Sequence, residues 1–348
     1  MEHLKLNRVA TIVAMICLPF LLLSCQKENT EEPTSKINYH FATLAEGQQL
    51  LAANGEFYNS LNQNNIDWRM RRTGATIDEL KDFVQTCVRD FNEEEKVAIT
   101  RAVASIELKL NDMGAALPFP KDDIVFVKTT MQEESNAGAY THKTEIYIGE
   151  RILQYGVAHG GDDEPTSESN WLYFNYAIAH ELFHCLTRNS PEFRSQMYSL
   201  IGFTTTGSDF VFAPDIQNAI LINPDVEHID NYAEFTINDE KRNCELLVLY
   251  TKTWEEAYAE VGDEASFFNY NQAVLVPVDA LVTYYPVEDA SDFWDVVGRN
   301  TDYVIAPEEC LADNFSYTIV YGFDGMDYQT PQLITDIYNL LCSYNLEY

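Results

Sequence analysis

Histidine is scarce in this 348-residue chain, with seven in all, yet two stand four apart with a glutamate after the first: His180-Glu181-Leu182-Phe183-His184. That spacing constrains the local fold before anything else does. On an α-helix, residues four apart share a face, so a helical stretch here lets both imidazoles grip one ion. The surroundings agree. Trp171, Leu172, Phe174, Ile178, Leu182, Phe183 and Leu186 recur near helical spacing, which predicts a helix over residues 169–188, stopped by Asn189, Ser190 and Pro191. Zn²⁺ accepts two neutral imidazole nitrogens, wants a third protein ligand and keeps a position for water. Glu181, beside the first histidine, can meet that water without ligating the metal and take a proton from it as general base. Two plainer alternatives stand beside this reading. One is a helix with two exposed histidines and an incidental glutamate. The other is a zinc site that binds without catalysing, in a surface lipoprotein acting as a binding module.

The rest of the chain is organised around that helix. Apolar positions at helical spacing over residues 40–62 and, more strongly, 76–112 predict a helical N-terminal lobe, with Thr76 and Glu79 as a capping box. Residues 123–128 read as a short buried strand and residues 139–148 as another, with a polar loop between them. A Gly-Gly-Asp-Asp-Glu-Pro loop at 160–165 precedes the histidine helix. Within 191–300, residues 193–201 and 243–258 look helical, and Asn223-Pro224-Asp225 looks like a loop or short strand. A last helix pair is expected at 307–321 and 331–345, with Pro307 as a first helical residue. No internal repeat is visible.

The N-terminus carries an address. Lys5 and Arg8 precede an apolar run over residues 9–23 that is too short for a good spanning helix and ends in Leu22-Leu23-Ser24-Cys25. This resembles the bacterial lipoprotein signal, which implies a signal peptide over 1–24 and a lipidated Cys25 at the mature N-terminus. Gln26 after it favours the outer membrane, and the polar stretch over 25–37 reads as a flexible tether to a domain over 38–348. The net charge of -33 repels phosphate backbones and anionic lipid, arguing against nucleic acid and leaving the lipid anchor as the membrane attachment. Cys87, Cys185, Cys244, Cys310 and Cys342 follow no disulfide-framework or Cys-x-x-Cys pattern. Cys185, beside His184, reads as packed core.

The His-Glu-x-x-His helix, the strands before it and the last helix pair, under half the chain, resemble the zincin metallopeptidases. The metzincin branch needs Gly and His where this chain has Thr187 and Ser190, so it is excluded. The gluzincin branch carries Glu-x-x-x-Asp or Glu-x-x-Ala-Asp on a second helix, and this chain has Glu309-Cys310-Leu311-Ala312-Asp313. The resemblance implies that Glu309 completes a zinc site with His180 and His184. Asp313 then hydrogen-bonds the first histidine from behind, fixing its tautomer. Glu308, Glu256, Glu260 and Asp225 are fallback third ligands. The separation from His184 to Glu309 implies an inserted subdomain over 191–300. The implied fold is α+β: a small twisted sheet packed on the histidine helix, with a largely helical second part. The implied activity is hydrolysis of a peptide or protein substrate lying along the sheet edge. A tyrosine or histidine that steadies the oxyanion is also implied. Tyr317 and His228 are candidates for it, and His142 is a candidate for lining the cleft.

Overall fold

In the computed structural model, residues 35–157 and 167–344 are described. The chain opens with β1 (Tyr39–Phe41), α1 (Leu44–Ala53), α2 (Gly55–Ser60), α3 (Gln63–Met70), α4 (Ile77–Cys87), β2 (Val88–Arg89) and α5 (Glu93–Asp112). Capping boxes start three of these helices: Thr43 with Glu46, Thr76 with Glu79 and Asn92 with Glu95. In each, the cap side chain accepts the third backbone N–H and the glutamate reaches back to the cap N–H. The helical character expected here holds, but not as a lobe of its own. β1 and β2 both pair with β3 (Ile124–Thr129), so this stretch belongs to the first sheet.

That sheet continues through β4 (Ala139–His142) and β5 (Glu145–Gly149), in the order β1-β3-β5-β4, with β2 on the far end of β3. β1, β3 and β5 are parallel, and β4 is an antiparallel edge. The single strand expected over 139–148 is a hairpin, because Lys143 adopts φ 51° and turns the chain back. Alternation then sends side chains to two cores. Ile124, Phe126, Ile146 and Ile148 face a core shared with α5, α6 (Glu150–Gly156) and α7 (Glu168–Asn189). Val127, Tyr140 and Tyr147 face a second core with Leu51, Leu80 and Val84 of α1 and α4. With both faces covered, β3 reads as a nearly continuous apolar run.

The long connection after α7 is not mostly helical. It runs α8 (Pro191–Ser199), β6 (Thr204–Thr205), α9 (Pro214–Ala219), β7 (Asn231–Ile237), β8 (Glu240–Tyr250), α10 (Trp254–Val261), β9 (Asn271–Pro277), β10 (Tyr285–Pro286) and α11 (Phe293–Val297). Its strands form an antiparallel sheet in the order β10-β9-β8-β7-β6. Asn238 and Asp239 both take positive φ, 52° and 64°, closing the β7–β8 hairpin in a two-residue turn. The helix expected over 243–258 therefore splits: its first half lies in β8, and the true helix starts at the Thr253–Glu256 capping box. The chain ends in α12 (Pro307–Ser316), a π-helical turn over Tyr317–Tyr321, and α13 (Pro331–Ser343).

Ser35 and Ile37 are buried rather than tethering. Ser35 donates to the Ala115 carbonyl at 2.6 Å, and the Ile37 N–H donates to Glu107 at 2.7 Å. Cys25, the signal segment and the 160–165 loop lie outside the described residues. The five described cysteines are free thiols, and Cys185 is core as expected. No described helix is long and apolar enough to cross a membrane.

Candidate metal centre

α7 lies against β4 and β5 on one side and against α12 on another, so the His-Glu-x-x-His face meets the Glu-x-x-Ala-Asp face. Spacing of four on each helix does the aligning. His180 and His184 stack down one side of α7 with ring centroids 4.9 Å apart. Glu309 Oε2 lies 3.0 Å from His180 Nε2 and 3.8 Å from His184 Nε2. The ligand-capable atoms of His180, His184 and Glu309 all fall within 4.8 Å of one another. Zinc bonds near 2.1 Å in a tetrahedron put ligand atoms roughly 3.4 Å apart, so this triad fits such an ion with small adjustments.

Each imidazole is braced from behind by a carboxylate. Asp313 Oδ1 lies 3.0 Å from His180 Nδ1, and Glu308 Oε1 lies 3.0 Å from His184 Nδ1. The braces are themselves held. Asp313 also accepts from the Tyr176 and Thr301 hydroxyls, and Glu308 accepts from Thr187 at 2.5 Å and Tyr198 at 2.8 Å. With both Nδ1 atoms so engaged, both Nε2 atoms aim at the same point. His184 Nε2 is fully buried and has no hydrogen-bond partner among the described residues.

Glu181 projects from the same helix toward the sheet edge, where its Oε2 accepts from Thr141 Oγ1 at 2.7 Å. Asp225, on the loop before β7, accepts the Thr141 N–H at 2.6 Å and sits 3.9 Å from His184 Nε2. That loop is pinned from below: Arg69 donates to the Ile222 carbonyl at 2.9 Å while Glu134 grips the guanidinium through two 2.7 Å bonds. Asn223 on the same loop donates to Glu309.

The electrostatics would suit a cation. Glu181, Asp225, Glu308, Glu309 and Asp313 are all buried within this cluster, facing two imidazoles. Burial pushes the Glu181 carboxyl up despite both histidines and the Thr141 bond. Burial, then the charges of Glu181 and Glu309, push Asp225 well up. Burial disfavours a charged His180, yet its bonds to Asp313 and Glu309 outweigh that and hold it well above the usual range. Asp313 and Glu308 are held low against their burial, chiefly by the histidine each braces. Arg188 and Arg194 stand near but are engaged by Glu227 at 3.9 Å and Asp230 at 2.7 Å. Uncompensated buried charge costs several kcal/mol per ion, which a divalent cation between the imidazoles and Glu309 would offset.

The centre opens into a cavity of about 460 Å³ whose walls include Gly138, Ala139, Tyr176, His180, Glu181 and Tyr303. A neighbouring cavity of about 240 Å³ shares Ala139, Asp225 and Tyr303 with it and is walled by Leu221, Val248 and Phe267.

His180, Glu181, His184, Glu309 and Asp313 thus come together as the sequence places them, and Glu308 joins them as a brace rather than a ligand. Other candidates fall elsewhere. Glu256 caps Thr253 at the surface, and Glu260 pairs with Lys252. Tyr317 stacks on Tyr176, with centroids 5.4 Å apart, behind Asp313. His228 is exposed beside Asp209 at 3.4 Å. His142 faces neither solvent nor the cleft: alternation along β4 turns it to the opposite face of the sheet, against Phe57 at 4.4 Å. Sequence reasoning gave no role to Thr141, Asn223 or Tyr303. Tyr303 lies on irregular chain between α11 and α12; the residue is 38% exposed, but loss of water around its phenol inside the cavity, then Glu309 and Asp225, push that phenol up. A single threonine on a strand and a tyrosine on a loop carry no local signal. No family model, curated protein or solved structure matches this chain.

Proposed function

We propose that the chain is a zinc-dependent peptidase of zincin type, with His180, His184 and Glu309 as ligands and Glu181 as general base. The observation that carries the reading is the convergence of both Nε2 atoms and a Glu309 oxygen on one point, with both Nδ1 atoms held by carboxylates. When bound there, zinc supplies a Lewis acid and an acidified water. The chain's own groups account for the rest. Glu181 is buried, outside the triad and on the cavity wall, so its carboxylate can accept the water's proton and pass it to the leaving amine. Thr141 Oγ1 holds that carboxylate in position. Tyr303 can donate its hydroxyl to the oxygen on which negative charge develops. The start of β4, at Ala139 on the cavity wall, offers backbone groups to an extended peptide, which suits a peptide or protein substrate.

With the lipidation reading at Cys25, the enzyme would be a bacterial outer membrane lipoprotein acting on polypeptides near the membrane. The test is digestion of an unbiased peptide library by purified protein, with and without a chelator, beside Glu181→Gln. Chelator-sensitive cleavage that Glu181→Gln abolishes while zinc stays bound is the expected result. Undiminished cleavage by Glu181→Gln eliminates the mechanism.

A further inference from the structure

The proposed mechanism leaves two neighbours of the centre unused: the Asp225 carboxylate and the apolar cavity of about 240 Å³. Asp225 lies on the wall of both that cavity and the metal-site cavity. Its side chain is 9% exposed, and its loop is fixed by Arg69 donating to the Ile222 carbonyl at 2.9 Å and Arg188 donating to the Pro224 carbonyl at 3.0 Å. Asp225 Oδ1 accepts the Thr141 N–H at 2.6 Å, while Oδ2 accepts no hydrogen bond among the described residues. The neighbouring arginines, Arg188 and Arg194, pair with Glu227 and Asp230 instead. The same loop covers β4 at Thr141, which is fully buried. A peptide lying along the start of β4 at Ala139 therefore cannot run on past the loop, and a cleft blocked in this way takes the end of a chain rather than its middle.

We infer, on the peptidase reading above, that the enzyme removes single residues from the free N-terminus of peptides, with Asp225 binding the terminal ammonium and the apolar cavity taking the first side chain. Charge selects the end: a buried carboxylate at the blockage attracts an ammonium and repels a C-terminal carboxylate. Leu221, Val248, Phe267 and Phe268 wall the cavity beside Asp225, which suits a large apolar first residue. The Arg69 and Glu134 side chains that also reach it are paired with each other at 2.7 Å and offer no net charge. Arg151 and Tyr173 line the metal-site cavity but not the apolar one, and both are exposed, so the rest of the peptide leaves past Ala139 on their side. In the reaction, water adds across the first peptide bond. Its hydroxyl goes to the carbonyl carbon and its proton, carried by Glu181, to the leaving nitrogen, giving a free amino acid and a peptide one residue shorter.

Short synthetic peptides test this, read by mass spectrometry on the zinc-loaded protein with and without a chelator. One begins with phenylalanine, a second is the same peptide acetylated at its N-terminus, and a third begins with aspartate. The expected result is loss of the first residue from the free phenylalanine peptide, with kcat/KM lower by about 30-fold or more after acetylation, which removes the partner of a buried carboxylate. The aspartate peptide should be slower by about tenfold or more. Asp225→Asn keeps an acceptor for the Thr141 N–H, so it should retain zinc and lose most of the discrimination between free and acetylated peptides. Leu221→Trp, which fills the apolar cavity, should shift the preference to small first residues, and it carries the test if the Asp225 variant fails to fold. Chelator-sensitive cleavage of internal bonds, loss of residues from the C-terminus, or equal rates on free and acetylated peptides overturns the N-terminal reading and leaves the peptidase standing. Full discrimination by folded Asp225→Asn overturns the role of Asp225. A zinc-loaded protein that cleaves none of the peptides overturns both readings.

Discussion

Replacing Asp313 with asparagine isolates what the rear carboxylate contributes. The side chain keeps its shape and one acceptor oxygen but loses its charge and turns an amide toward groups that now donate. Three donors converge on Asp313: the Tyr176 hydroxyl, the Thr301 hydroxyl and His180 Nδ1, the last at 3.0 Å. The amide oxygen in the place of Oδ1 can still accept from Tyr176 and His180, and the Thr301 hydroxyl beside Oδ2 can rotate and accept, so no donor is left unsatisfied and fold stability should fall by no more than about 1 kcal/mol. The larger expected effect is on metal. Losing a carboxylate partner of a ligating histidine weakens binding about 10- to 100-fold, or about 1.4–2.7 kcal/mol. Glu308→Gln should act alike through His184, since Glu308 has the same arrangement with Thr187 and Tyr198. The braces serve different imidazoles, so if they act independently the double variant should lose about 100- to 10,000-fold. Competition with a fluorescent zinc chelator measures each constant, and circular dichroism checks the fold. Folded single variants with wild-type zinc affinity would refute the claim that these carboxylates orient the ligands.

Thr141→Val removes the hydroxyl that fixes Glu181 and should lower kcat while zinc content stays at wild type; equal kcat would show that Glu181 is positioned by other contacts. Glu134→Leu strips the only carboxylate in contact with Arg69 among the described residues and should cost about 3–5 kcal/mol in denaturant unfolding, since the Arg69 side chain is 1% exposed. The Arg69→Leu, Glu134→Leu pair should recover most of that loss, and a double variant as unstable as the single would contradict the argument. Gly156→Ala would put a Cβ 2.5 Å from the buried Phe174 ring and should cost about 1–3 kcal/mol, read as a lower melting temperature; an unchanged value would mean the ring has room to move. Among the described cysteines, only Cys342 is partly exposed, so it should react with a thiol reagent in the native protein while Cys87, Cys185, Cys244 and Cys310 wait for unfolding.

The centre was legible where its chemistry is written at helical spacing. His180 and His184, and Glu309 and Asp313, each lie four apart, and nothing beyond a helix is needed to align them. The strand cores at 124–129 and 145–149 were legible for a similar reason, as apolar runs. What escaped reading depends on turns and on distant contacts. Residues 243–250, Asn-Cys-Glu-Leu-Leu-Val-Leu-Tyr, form a run too uniformly apolar for periodicity to separate a buried strand from a helix. The real signals lay at its flanks: Asn238-Asp239 before it as a hairpin turn, and Thr253 with Glu256 after it as a helix start. Lys143 hides the β4–β5 turn because a left-handed lysine has no sequence signature. Asp225 and Thr141 meet only through tertiary packing.

The two ligand helices are neighbours in space but stand on either side of the whole second sheet in sequence. Bringing α12 to α7 closes a loop of more than a hundred residues, an entropic cost that grows only slowly with length but must be met before the metal rewards it. High contact order of this kind slows folding. If the proposed ion binds here, it is unable to nucleate the fold from a local hairpin of ligands; it could only lock a chain that has already threaded its insertion correctly. Metal uptake in refolding should therefore lag behind secondary structure and report the completed topology.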